Sequence, residues 1–243
     1  MDYTDSFSVI TANAATLAAV ARDAELLTAT VPSCPEWDLA KLVRHTGTAH
    51  RWSAGVVRTR EALSPKSMDL EIPDDPTGLP DWLERTAAGL VAALEAADPD
   101  AECWTWTGGG SVRFWGRRMA FETAVHRWDG QGVVSPPDAF DGALAVEGIN
   151  EHLENLPFVV GPEPVTGTGE SIHLHCTDRD GEWLLRLTPD GLEVTPEHAK
   201  GDAAVRGTAS DLYLFTLGRT PAAPVEIFGD PQALEPWDLV LHF

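Results

Sequence analysis

Basic residues are scarce in this sequence: 17 Lys and Arg stand against 38 Asp and Glu, a formal net charge of −21. So acidic a surface repels phosphate backbones and anionic headgroups, which argues against nucleic acid and membranes as partners. Long apolar runs are absent too. No stretch reaches the ~18 residues that a transmembrane helix needs. The N-terminus, MDYTDSFSV, lacks the basic-then-apolar pattern of a signal peptide, and a soluble cytoplasmic protein is expected. Only three cysteines occur, Cys34, Cys103 and Cys176. Their odd number and wide spacing fit neither a disulfide framework nor a CxxC zinc knuckle. Gly108-Gly109-Gly110 lacks the Lys-Ser/Thr of a phosphate loop and reads as a turn.

What is present suffices for a sizeable core: 243 residues, 43% of them hydrophobic. The first 155 or so read as helical. Apolar residues recur at helical spacing from Ser8 to Thr28, and again from Asp81 to Ala97. Ser33-Cys34-Pro35-Glu36 has the spacing of a capping box, which predicts a helix from there to about Arg60. Ser64 to Pro80 reads as a loop. A fourth helix is expected over Val112–Gln131 and a shorter fifth element over Ala139–Leu156. The composition then changes. Residues 161–170 are mostly Gly, Pro and Thr and read as a linker. Beyond them short alternating runs, Ser171–Cys176, Glu182–Leu187, Leu192–Thr195 and Ala203–Gly207, suggest a meander of strands. A helix near Ser210–Leu217 and a last strand near Val225–Phe228 complete the reading. The fold class is therefore α+β: a helical bundle over 1–160, then a small α+β domain over 161–243.

Within FETAVHRWDG, Glu122 and His126 are four residues apart and only about 40° apart on one helix face. Asp129 falls about 20° to the other side of Glu122. Met119 and Trp115 share that stripe, which is otherwise apolar and should face inward. The second helix offers His45 and His50. His45 falls inside the stripe of Leu42, Ala49, Trp52 and Val56, whereas His50 lies roughly 140° away, near its edge. His45, Glu122 and His126 together make the donor set of a catalytic divalent metal site of the zinc type, with a position open to water or substrate. The bland alternative remains: a Glu–His pair at this spacing is a common surface contact, and an inward His45 fits a core histidine bonded to a carbonyl. Asp129 suits a group that orients a ligand better than a ligand.

VPSCPEWDLAKLVRHTGTAHRW followed by FWGRRMAFETAVHRWDGQ resembles the mycothiol-dependent maleylpyruvate isomerase family. Its motif is Trp37 with His45 eight residues on, then Glu122 with His126. The resemblance spans essentially the whole chain. It implies a DinB-like four-helix bundle, a sterol-carrier-like C-terminal domain, and a divalent metal, usually zinc, held by His45, Glu122 and His126. It also implies mycothiol, or a similar thiol, whose metal-stabilised thiolate adds to an electrophilic carbon of a small-molecule substrate. Isomerisation and S-transfer begin alike. A metal-dependent hydrolase, or a non-catalytic small-ligand module on the same fold, are the alternatives. Where many members carry a polar residue before the Glu, this chain has Phe121, which lies about 100° off the ligand stripe and could alter the pocket wall.

Other residues have weaker claims. Arg118, about 40° from Glu122, could hold a substrate carboxylate at the site mouth. For Arg118 and its neighbour Arg117, a surface or interdomain salt bridge with one of the many acids is the stronger reading. Arg219, after the predicted C-terminal helix, is a candidate for closing over substrate, and Trp52 and Trp115 are candidate pocket walls. Cys34 reads as part of a helix cap. His173 and His175 share one strand face, expected to look toward solvent.

Overall fold

A computed structural model describes residues 1–159, 166–220 and 223–241. Two compact units divide the chain, Met1–Asp138 and Ala139–Phe243. The break comes earlier than the composition suggested. The fifth helix, expected in the first domain, packs against the last long helix of the second unit instead. Residues 161–165 of the expected linker lie outside the described residues.

The first unit is a four-helix bundle: α1 (Asp5–Ala21), α2 (Leu39–Thr59), α3 (Leu79–Glu95) and α4 (Val112–Gln131). Helix α4 packs on α1 and α2, and α3 packs on the same two from the other side. The core is built of Ile10, Leu17, Leu42, Val56, Trp82, Leu83, Leu90, Trp115 and Ala120, all essentially inaccessible. No helix among the described residues is long and apolar enough to cross a membrane.

The expected capping box does not form. A short hairpin, β1 (Thr30–Val31) and β2 (Cys34–Asp38), stands in its place. Pro35 pushes the residue before it toward extended backbone, and the box residues are drawn into a strand. Helix α2 then begins five residues beyond Cys34. Asp38 caps it, accepting from the Lys41 N–H at 2.7 Å. The hairpin is stitched on by Leu39 N–H to the Ala29 carbonyl and Ala40 N–H to the Leu27 carbonyl. Its turn is what carries Ser33 away from the helix end.

The two histidines of α2 exchange the environments expected of them. His50 is fully buried, its ring nitrogens 2.8 Å from Thr123 Oγ1 and 3.3 Å from Thr86 Oγ1. His45 keeps 43% of its side chain exposed. The apolar stripe of α2 is wide because α3 and α4 cover different sides of it, so the helical wheel's edge became the interior. The side of α2 against α3 is tight as well. A Cβ added to Gly47 would sit 2.2 to 2.8 Å from three ring carbons of Trp82.

In the second unit, α5 (Gly142–Val159) and α6 (Ala209–Thr216) accompany a five-stranded sheet: β3 (Ser171–Cys176), β4 (Glu182–Thr188), β5 (Gly191–Thr195), β6 (Ala203–Gly207) and β7 (Glu226–Gly229). A short α7 (Glu235–Leu241) follows. The order is β5-β4-β3-β6-β7. Only β3, β4 and β5 form the expected meander. After β5 the chain crosses over, and β6 joins the far side of β3 in parallel. Thr208 caps α6, accepting from the Asp211 N–H. Ile172 and Leu174 of β3 are paired with Leu185 and Trp183 of β4 on the helix-covered face, where Trp183 Nε1 donates to Asn150 of α5 at 2.7 Å.

Two outcomes follow from the bundle core. Gly47→Ala lowers stability by about 1–3 kcal/mol in urea denaturation, although alanine is the better helix former, because the Trp82 ring cannot yield. Burial pushes the His50 imidazole down to about 4, against the pull of the Glu122 carboxylate. The unfolded chain therefore takes up a proton near pH 6.5 that the folded chain refuses until about pH 4. Stability from this group is intact above pH 6.5 and declines by about 3 kcal/mol on acidification through that window. With metal chelated, His50→Gln shows a shallower loss of stability from pH 6.5 to 4 than the wild type.

Candidate metal centre

Helix α4 carries Arg118, Glu122, His126 and Asp129, at intervals of four, four and three residues, on one face. Helix α2 brings His45 to meet them. His45 Nε2 lies 3.0 Å from Glu122 Oε1, and His126 Nε2 lies 3.2 Å from the same oxygen. The donor atoms of all three residues fall within 4.8 Å of one another. The rings of His45 and His126 stand edge to face, 4.9 Å apart, with Trp37 of the hairpin against both, at 4.7 and 6.1 Å.

Two of the three donors, His126 and Glu122, are held from behind. His126 Nδ1 is 2.9 Å from Asp129 Oδ2, and Ser33 Oγ donates to Asp129 Oδ1 at 2.5 Å. Asp129 is wholly shut off from solvent. With Nδ1 held by Asp129, Nε2 is the nitrogen that faces Glu122. Arg118 Nη2 donates to Glu122 Oε2, which leaves Oε1 for the two imidazoles. Burial pushes the Glu122 carboxyl up, but His126 and Arg118 outweigh it and hold it well below the usual range. Burial likewise pushes His126 down, while the Glu122 and Asp129 carboxylates draw it up to about 9. Two nitrogen lone pairs and a carboxylate oxygen at such distances need a positive charge among them. Protons supply it at one extreme, a divalent cation at the other. Two imidazoles, one carboxylate, and a buried acid behind one ring fit an open zinc-type site.

Residues 7–130 match the mycothiol maleylpyruvate isomerase N-terminal domain, and residues 143–236 match the MDMPI C-terminal domain. The chain belongs to the mycothiol maleylpyruvate isomerase family. Two solved structures share its fold across 93% of this chain and 93% of theirs. One is the mycothiol-dependent maleylpyruvate isomerase, with a TM-score of 0.64 at 11% identity. The other is a histidine-to-alanine mutant of a mycothiol-dependent maleylpyruvate isomerase, with a TM-score of 0.65 at 12% identity. No curated protein matches the chain in sequence.

Of the residues that the sequence singled out in this family member, His45, Glu122, His126, Asp129 and Arg118 come together. Trp52 and Trp115 do not join them as pocket walls. They pack with Trp104, Trp106 and Phe114 in an aromatic cluster, and Trp115 is fully buried. Phe121 is likewise buried in the core rather than on a pocket wall. Cys34 lies on β2, not at a helix start, with Sγ 4.0 Å from Asp129 Oδ2. Arg219 follows α6 in the second unit, where its guanidinium donates to the Leu217 carbonyl. Trp37, part of the sequence motif, proves to lie at the site, whereas Ser33 was read as a helix cap. The signal for Ser33 was available in Pro35, which favours an extended segment over a helix.

Asp129→Asn removes the charge that holds the His126 ring and keeps its shape. Zinc affinity, measured by chelator competition, should fall about 10–100-fold while the far-UV circular dichroism is unchanged. Unaltered affinity would show that Asp129 does not orient a ligand.

Proposed function

We propose that this protein is a divalent-metal-dependent isomerase that uses mycothiol, or a similar low-molecular-weight thiol, on a small electrophilic substrate of the maleylpyruvate kind. One observation carries the reading: the Nε2 atoms of His45 and His126 converge on a single Glu122 oxygen in a chain of the mycothiol maleylpyruvate isomerase family. His45, Glu122 and His126 would hold the metal, with zinc favoured by the donor types. When bound there, the ion would keep the thiol as its thiolate at neutral pH, the nucleophile that reversible addition to a conjugated double bond requires.

The chain's own groups have separate tasks. Arg118 is a positioning residue, fixing which Glu122 oxygen meets the imidazoles. Asp129 keeps the His126 proton on Nδ1 and frees Nε2. Trp37 lies against both rings, limiting their rotation. The exposed side of His45 is the side from which small molecules can reach the donors.

The test compares the wild type with His45→Ala, His126→Ala. The double variant binds one divalent ion fewer per chain. In the cobalt-substituted wild type, added mycothiol gives a sulfur-to-cobalt absorption band that the variant lacks, and cis–trans isomerisation of maleylpyruvate drops to background. Equal metal in both proteins overturns the metal assignment. Turnover that needs no thiol overturns the isomerase reading and favours hydrolysis.

A further inference from the structure

A second set of donors lies in the C-terminal unit and has no part in the site described above. His173 and His175 alternate along β3 and so point to the sheet face opposite Trp183 and α5. Glu182 opens β4 directly across from His175. His198 comes from the segment 196–202, the crossover that takes the chain from β5 to β6. The histidines do not line a solvent face as the alternation suggested. His173 is 6% exposed, because this crossover covers it.

The contacts converge on one carboxylate. Glu182 lies 2.7 Å from His175 Nδ1 through Oε1. Through Oε2 it lies 2.7 Å from His198 Nδ1 and 3.5 Å from His173 Nε2. The three rings sit 5.2 to 6.1 Å apart. One ligand atom from each of the four residues falls within 4.8 Å of all the others. Yet His173 Nε2 and His175 Nδ1, both buried, have no hydrogen-bond partner in acceptable alignment. Each such orphan costs about 1–3 kcal/mol. Both nitrogens nonetheless lie close to the Glu182 carboxylate, at 3.5 and 2.7 Å.

The crossover is clamped beside this cluster. A Cβ on Gly201 would lie 2.9 Å from the His173 backbone nitrogen and 2.7 Å from the Ala203 carbonyl oxygen. Asp202 Oδ2 accepts from both the N–H and the Oγ of Ser171, at 2.8 Å each. The chain therefore runs hard against β3 with His198 poised above the other three donors.

We propose that His173, His175, Glu182 and His198 form a second divalent metal site, for a borderline transition ion such as zinc, nickel or cobalt. Three imidazoles and a carboxylate supply four protein donors, the closed set of a structural rather than a catalytic site. The ion would satisfy both orphaned nitrogens and pin the crossover to the sheet. His198 closes the shell: its side chain is 79% exposed and it alone comes from outside β3 and β4.

The experiment uses tag-free full-length protein, dialysed against zinc and counted by elemental mass spectrometry. The expected result is two ions per chain in the wild type and one in His175→Ala, His198→Ala. His45→Ala, His126→Ala also keeps one, so the two centres fail independently. His198→Ala alone, at an exposed position that cannot unfold the sheet, weakens the second ion at least about tenfold. It also abolishes zinc's protection of segment 196–202 from proteolysis. Zinc content, affinity and protease protection unchanged in His198→Ala and in the His175, His198 pair would overturn the site.

Discussion

Everything at the candidate metal centre turns on one buried carboxylate. Asp129 has no access to solvent, so its charge must be met by the protein. Ser33 from the hairpin and His126 one turn back along α4 both meet it. That pair of hydrogen bonds settles which nitrogen of His126 carries the hydrogen and where the ring points. It also ties the hairpin to α4, which sets Trp37 against the rings of His45 and His126. The carboxylates around the His126 ring draw its pKa up to about 9, so it carries a positive charge at neutral pH whose place a bound cation would take.

The rest of the bundle supplies stiffness. Helix α4 is buried along nearly all of its second half, between α1 and α2, so its polar face cannot slide. His50 closes the layer beneath, held neutral between two threonines rather than offered to a metal. The tryptophans at 52, 104, 106 and 115 pack stacked and edge to face into an aromatic block. The two histidines of α2 thus have opposite tasks, and the difference is made by which helices lie over them.

Much of this could be read in the chain. Four bundle helices, five strands and α6 appear where periodicity predicts them, although α1 ends at Ala21 rather than Thr28 and α2 starts at Leu39 rather than Ser33. The Glu122–His126–Asp129 face follows from a spacing that admits little else on a helix. The failures have a common cause: each depended on a contact distant in sequence. Ser33 looked like a cap because its true partner, Asp129, is 96 residues away. His45 and His50 were assigned to the wrong environments because a helical wheel records one direction of burial, and α2 is covered from two. The domain break fell at 138 rather than 160 because α5 packs on α6, far along the chain. His173 and His175 looked solvent-facing because nothing local announces a crossover that returns over β3.

What the order of amino acids settles is whatever operates over a turn or two of backbone. This covers the helices and strands, the alignment of donors along α4, the alternation of histidines along β3, and the acidity of the surface. What it leaves open is which side chains share one point in space. Only the folded chain brings His45 to Glu122 across 77 residues, Ser33 to Asp129 across 96, and His198 to Glu182. The reason is physical. A periodic pattern specifies a direction around an axis, whereas a coordination site needs several directions to meet, and packing alone fixes how separate axes cross.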